Sequence, residues 1–300
     1  MGVDLEFPRR GIGVNTEYSD PQFRRPQLAP AVIASMSRRD RQLTIGVSGT
    51  NFGKAADDYA TFRAGFPASL FDRLAEFDVG LAGQHVTDLG TGTGTLARGF
   101  AARACDVVGV DPDARMLHQA EELDAKSKVN VRYLQATAED TGLEDSSTDV
   151  VTAGQCWHWF DRPRATAEVL RILKPGGKLV IAHFDWLPLA KNVVEATERL
   201  IEQHNPQWNL GGGCGFHAQW LPELTEAGLQ NLETFSYDLD VPYSPEAWCG
   251  RIRASAGVAA LTPQGIRTFD QNLATMLSDR FRSETLNVPH RVFAIVALAA

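Results

Sequence analysis

A doubly wound α/β fold built on a mostly parallel sheet is what this sequence predicts, and three observations carry the prediction. Between residues 85 and 184, short apolar runs alternate with amphipathic segments of helix length, the pattern of strand–helix–strand units in parallel sheets. A glycine-rich turn, Gly90-Thr91-Gly92-Thr93-Gly94, joins the first apolar run to the first of these helices. Two late apolar runs, at 232–239 and 291–298, enclose a long helical pattern, which suits an antiparallel sheet edge with a cap. The full expectation is a seven-stranded sheet whose last strand is antiparallel.

Residues 1–50 hold seven basic and five acidic residues, three arginine pairs and four prolines, and show no apolar period. They are expected to form an extension that trails as a tail or docks on a second copy in a homodimer. The remaining residues, 51–300, are expected to form one domain. In it, Phe52, Ala55, Ala56, Tyr59, Phe62 and Phe66 recur near a 3.6-residue period, predicting a helix that Pro67 ends; a second helix then runs from Ala68 to Phe77. Strands follow at His85–Leu89, Val107–Val110, Val129–Leu134, Asp149–Ala153 and Lys178–Phe184. Helices between them are expected at Thr95–Ala104, Ala114–Leu123 and Arg164–Leu173. Helices at Lys191–His204, at Gln219–Ala227 and within 245–285 are expected to form cap insertions, over about 185–230 and 243–288.

Composition narrows the class of function. The chain has 300 residues, 44% hydrophobic and 22% charged, with a net charge of -8. An acidic balance argues against a nucleic-acid partner, which selects a basic face. No apolar run approaches the roughly 20 residues of a membrane helix, and the first ten residues lack the apolar core of a secretory signal. Cys105, Cys156, Cys214 and Cys249 are scattered and read as free thiols. The expectation is a cytoplasmic protein with neither membrane nor nucleic-acid partner. The histidines show no ligand spacing, so no metal site is expected.

The chemistry concentrates where the first strand ends. Asp88-Leu89-Gly90-Thr91-Gly92-Thr93-Gly94 runs from a strand into a helix, and its glycines allow close approach of backbone to a ligand. Asp111, 19 residues after Gly92 and at the end of the next strand, is placed to accept the hydroxyls of a ribose. Gly92 to Ala97 also fits the dinucleotide pattern G-x-G-x-x-A, so an NAD-dependent oxidoreductase is a rival reading. Asp88 tips the balance. A carboxylate there would repel a pyrophosphate but suits a ligand carrying an ammonium group, as would a nucleoside with a cationic tail such as S-adenosyl-L-methionine.

At these residues the sequence resembles the class I S-adenosylmethionine-dependent methyltransferases, whose fold is Rossmann-like. Residues 88–94 are similar to the family's first motif and Val110-Asp111-Pro112 to its ribose-binding strand end. Ala138-Glu139 is similar to the adenine-contacting segment, and Lys174-Pro175-Gly176-Gly177 to the turn before the fifth strand. The segments 52–63 and 154–161 resemble small-molecule enzymes of the trans-aconitate methyltransferase type. The resemblance implies a methyltransferase that binds its cofactor through Tyr59, Arg63, Asp88, Gly90, Gly92, Gly94, Asp111, Pro112, Ala138, Glu139 and Gln155.

Trp157-His158-Trp159 follows the fourth strand, which in this topology ends beside the transferred methyl. His158 is the candidate base, and Trp157 and Trp159 are candidate contacts to the acceptor. Trp186, Phe216, His217, Trp220, Trp248 and Arg251 are candidate walls of an acceptor pocket under the cap. A packing role for these aromatic residues stands beside the functional one. A metabolite oxygen, hydroxyl or carboxylate, is the favoured acceptor; nitrogen or carbon acceptors, and a non-catalytic cofactor-binding partner protein, are the alternatives.

Overall fold

The computed structural model describes residues 64–300. The extension 1–50, Tyr59, Arg63 and nearly all of the helix expected over 52–66 lie outside the described residues. The first described helix is α1 (Ala68–Ala75), which buries Leu70, Phe71 and Leu74 along one face. Alternation then proceeds as β1 (His85–Leu89), α2 (Thr95–Ala101), β2 (Asp106–Asp111), α3 (Ala114–Ser127), β3 (Arg132–Gln135), β4 (Thr148–Gly154), α4 (Arg162–Ile172) and β5 (Leu173–Trp186). The cap contributes α5 (Val193–His204) and α6 (Leu221–Glu226) before β6 (Gln230–Tyr243). Then α7 (Pro245–Arg253), α8 (Ala256–Ala259) and α9 (Pro263–Arg280) precede β7 (Leu286–Leu298).

Local chemistry sets most helix starts. Side chains of Asp113, Asp161, Asn192, Ser244 and Thr262 accept backbone N–H groups in the first turns of α3, α4, α5, α7 and α9. Proline stands in the first turn of α4, α7 and α9, where its missing N–H costs nothing.

One seven-stranded sheet results, in the order β3-β2-β1-β4-β5-β7-β6. The pairs β1–β2, β2–β3, β1–β4 and β4–β5 are parallel, and β7 lies antiparallel between β5 and β6. Strand order reverses between β1 and β4, which opens a crevice at their carboxyl ends. Period-two alternation divides β5 between the two faces. Leu179 and Ile181 join one core cluster with Trp157 and Trp220, whereas Val180, Ala182 and Phe184 join another with Leu96 and Phe100. The two cap insertions share a third core, in which Val194 and Ile201 of α5 meet Trp248 of α7 and Phe269 and Leu273 of α9.

Boundaries differ from expectation where tertiary pairing overrides local pattern. The third strand starts at Arg132, not Val129, because the Val129 N–H still closes α3 on the Asp124 carbonyl after Lys128 turns at φ 57°. The last two strands are longer than their apolar runs, since they pair from Gln230↔Leu298 to Tyr243↔Leu286 and carry polar residues along with them.

Candidate functional site

The glycine turn after β1 is shaped by backbone conformations that side chains resist. Gly90, Gly92 and Gly94 have φ of 59°, 55° and 76°. At Gly90 a Cβ would come within 2.9 Å of the Cys156 Sγ and 3.0 Å of Phe160, so the turn passes hard against the segment after β4. A cleft forms above it, lined by Ala64, Phe66, Gly90 to Thr93, Thr95, Gly154, Gln155 and Phe184. Gly154 belongs to this slot for a steric reason, because a Cβ there would meet Phe66 at 2.9 Å.

Asp88 takes a different part from the one expected. It is 1% exposed, and its two carboxylate oxygens accept the hydroxyls of Thr91 and Thr152, each at 2.7 Å. It therefore ties the glycine turn to β4 and does not present an oxygen in the open cleft. Burial raises its pKa to about 6 despite the threonine bonds that oppose the shift.

Asp111 stands half-buried at the end of β2. One carboxylate oxygen accepts the Gly92 N–H and the other the Asp113 N–H, both at 2.9 Å. Burial raises its pKa, and those two backbone bonds work against the rise. Each oxygen has a second lone pair, so the carboxylate can still accept hydroxyl groups. Pro112, exposed next to it, accepts the Gln135 amide through its carbonyl at 3.2 Å. Ala138 is buried in the core, while Glu139 is half-buried and accepts the Asp161 N–H at 2.9 Å, fixing the start of α4. Gln155 turns at φ 59°, and its side-chain amide donates to the Phe184 carbonyl at the cleft wall.

Three of the expected acceptor contacts are core residues. Trp157 is fully buried, packed edge-on to Phe160, and donates its indole N–H to Glu223 of α6 at 3.3 Å. Trp220 is 4% exposed in the same cluster. Their large apolar surfaces close the gap between β4, β5 and α6, so neither is an open pocket wall. Trp248 is likewise fully buried in the cap. Trp186 is half-buried, donates to Glu198 at 2.9 Å and lies under the Arg251 guanidinium at 4.6 Å. Phe216 is 47% exposed beneath the Arg291 guanidinium.

His158 and Trp159 are exposed on a 3-10 turn. The His158 ring lies 5.9 Å from that of His183, which shares a face of β5 with Ile181, opposite Phe184 and the cleft. The structure also brings together three residues that chain spacing did not connect, against the expectation that the histidines assemble no ligand set. His183 Nδ1 lies 3.4 Å and His217 Nε2 2.7 Å from the same Asp185 oxygen. Burial pushes the Asp185 carboxyl up, but hydrogen bonds from His183 and His217 outweigh it and hold it well below the usual range. His183 and Asp185 were missed although H-x-D within a strand run places two side chains on one face.

Residues 87–181 match the family model of the methyltransferase domain. The match spans the glycine turn, Asp111 and all five parallel strands except their outer ends. Residues 87–181 form a class I methyltransferase domain. An uncharacterised methyltransferase of Mycobacterium tuberculosis is 41% identical over 143 residues, which is 48% of this chain and 53% of that protein. One from Schizosaccharomyces pombe is 35% identical over 135 residues, 44% and 52% of the respective chains. The chain thus spans about half the length of the curated relatives it matches. Among solved structures, a proposed type II methyltransferase of Anaeromyxobacter dehalogenans is 25% identical with a TM-score of 0.54, covering 79% of this chain and 97% of that one. The phosphoethanolamine N-methyltransferase 2 of Haemonchus contortus, held with phosphomonomethylethanolamine and S-adenosylhomocysteine, is 22% identical with a TM-score of 0.51. It covers 82% of this chain and 57% of that one. These neighbours share the methyltransferase fold seen here. Among the described residues no helix is long and apolar enough to cross a membrane.

Proposed function

We propose that this chain transfers the methyl group of S-adenosylmethionine to an oxygen of a small-molecule acceptor. The observation that carries the reading is the cleft at the switch point. Side-chain-free backbone at Gly90 and Gly92 meets a half-buried carboxylate, Asp111, at the carboxyl ends of β1 and β2. These residues fit a nucleoside bearing a cationic sulfonium. Asp111 retains lone pairs for the ribose hydroxyls, Met116 Cε stands 3.4 Å from the Cβ position of Gly92, and the slot beside Gly154 admits a narrow tail. Tyr59 and Arg63, outside the described residues, are further cofactor contacts that the resemblance implies. When bound, the cofactor supplies an electrophilic methyl group.

The chain's own residues then hold the acceptor in line and keep water away. Ala64 both lines the cleft and packs on the cap core, so the cap adjoins the cleft, which supports a small-molecule acceptor. A hydroxyl acceptor needs a base, and His158, exposed just past β4, takes that proton. A carboxylate acceptor, in keeping with the resemblance to trans-aconitate enzymes, needs no base; Arg251 or Arg253 then balances its charge. Trp159, Trp186, Phe216 and His217 are the exposed or half-buried aromatic side chains left to meet the acceptor.

Calorimetric titration with S-adenosylmethionine, S-adenosylhomocysteine and NAD tests the cofactor. Binding of the first two and not of NAD is expected, and the reverse pattern overturns the reading. A metabolite panel with isotope-labelled methyl donor tests the acceptor. Label released by mild alkali marks a carboxylate ester, and alkali-stable label on oxygen marks an ether. Label on nitrogen or carbon refutes oxygen as the acceptor atom.

A further inference from the structure

We propose that His183, Asp185 and His217 bind one first-row divalent transition-metal ion, of which Zn2+ is the type, at the carboxyl end of β5. The three potential ligand atoms all lie within 4.8 Å of one another. Two nitrogens stand 3.4 and 2.7 Å from a single carboxylate oxygen. Ligands held at about 2.1 Å from one ion in tetrahedral or octahedral array sit about 3.0–3.4 Å apart, close to the two separations from Asp185. The three atoms, already within 4.8 Å, would draw in to that spacing around an ion. Two imidazoles with one carboxylate suit zinc or iron(II) in a site with positions left open, and are a poor set for magnesium, which prefers oxygen.

The surroundings hold these ligands in place. His183 and Asp185 are fixed on one face of a paired strand, and the His183 side chain is 3% exposed. His217 comes from the cap, 32 residues later in the chain, and lies flat on the buried Trp220 ring at 10° and 4.9 Å. The His183 ring lies 3.8 Å from that of His217 and the Phe293 ring 5.9 Å. Such packing sets an imidazole's direction before an ion arrives. The cation nearest to Asp185 in strand register, Arg291, is committed elsewhere: it forks onto both oxygens of Asp238 and onto the Cys214 carbonyl. Asp185 and His217 keep 33% and 21% of their side-chain surface exposed, which leaves an approach from outside.

The site stands apart from the glycine cleft, because His183 and Phe184 project to opposite faces of β5. Metal binding is therefore independent of methyl-donor binding, although His217 is shared with the acceptor wall and His158 lies 5.9 Å from His183. An oxygen ligand on the open positions would be acidified by the ion, and only that consequence rests on methyl transfer.

Chelator-treated full-length protein, dialysed against Zn2+ without methyl donor, should retain one ion by elemental analysis. His217→Ala and Asp185→Asn should each weaken binding at least tenfold, with circular dichroism unchanged at His217→Ala. Magnesium should not compete. Co2+ substituted for Zn2+ should give visible d–d bands without the near-ultraviolet charge transfer of thiolate ligands, and Cys214→Ser should bind as the wild type does. No retained ion, an unchanged affinity in His217→Ala, or a thiolate band would overturn the proposal. Because methyl-donor affinity is titrated separately, loss of one property leaves the other readable.

Discussion

Asp111→Ala is the sharpest test of the cofactor site, because the carboxylate has two separable jobs. In the structure it accepts the N–H groups of Gly92 and Asp113 at 2.9 Å each. Removing it leaves two half-buried donors seeking water, at about 1–3 kcal/mol for each one that stays unpaired. Melting temperature in the absence of ligand should fall accordingly. The second job is to accept ribose hydroxyls, and a hydrogen bond to a charged group contributes about 1.5–3 kcal/mol. Affinity for S-adenosylmethionine should therefore drop by roughly 10- to 150-fold. Differential scanning fluorimetry reads the first effect and isothermal calorimetry the second, on protein whose circular dichroism matches the wild type. A folded variant that melts early yet binds the cofactor with unchanged Kd would refute the reasoning. Asp111 would then be an anchor of the glycine turn alone.

Gly90→Val should destabilise the fold by about 3 kcal/mol or more, combining a left-handed backbone with a Cβ 2.9 Å from Cys156 Sγ; an unshifted denaturant midpoint would contradict the geometry. Asp88 carries a pKa raised from 3.8 to about 6, so its contribution to stability is fully present below pH 3.8 and is lost as pH rises through 6. The stability difference between wild type and Asp88→Asn should accordingly shrink by about 3 kcal/mol between those limits, and a difference flat with pH would show that Asp88 titrates normally. His158→Ala should lower kcat by roughly 100- to 10,000-fold with a hydroxyl acceptor and leave cofactor affinity unchanged. An effect confined to KM would reduce His158 to a positioning residue.

Much of the site was legible because its chemistry is local in the chain. A strand that ends in Asp88-x-Gly90-x-Gly92-x-Gly94 must turn with positive φ, and Asp111 must end the neighbouring strand at the same level. Period-two and 3.6-residue patterns likewise placed all seven strands and the main helices. Side-chain direction was less legible. Trp157 and Trp159 are two residues apart with the same chemistry, yet one is fully buried and the other 44% exposed, because the 3-10 turn directs Trp157 against α6. Nothing within the tripeptide distinguishes them.

The sequence by itself determined the order of elements and the glycine cradle with its carboxylate, because each follows from residues close together in the chain. Only the tertiary structure decided which aromatic residues face solvent, that Asp88 is spent on Thr91 and Thr152, and that His217 reaches Asp185 across 32 residues. The first and last depend on how α6 and the rest of the cap pack onto the sheet, and the second on the pairing of β1 with β4. Such packing sums many weak contacts between distant segments, and no local pattern records it.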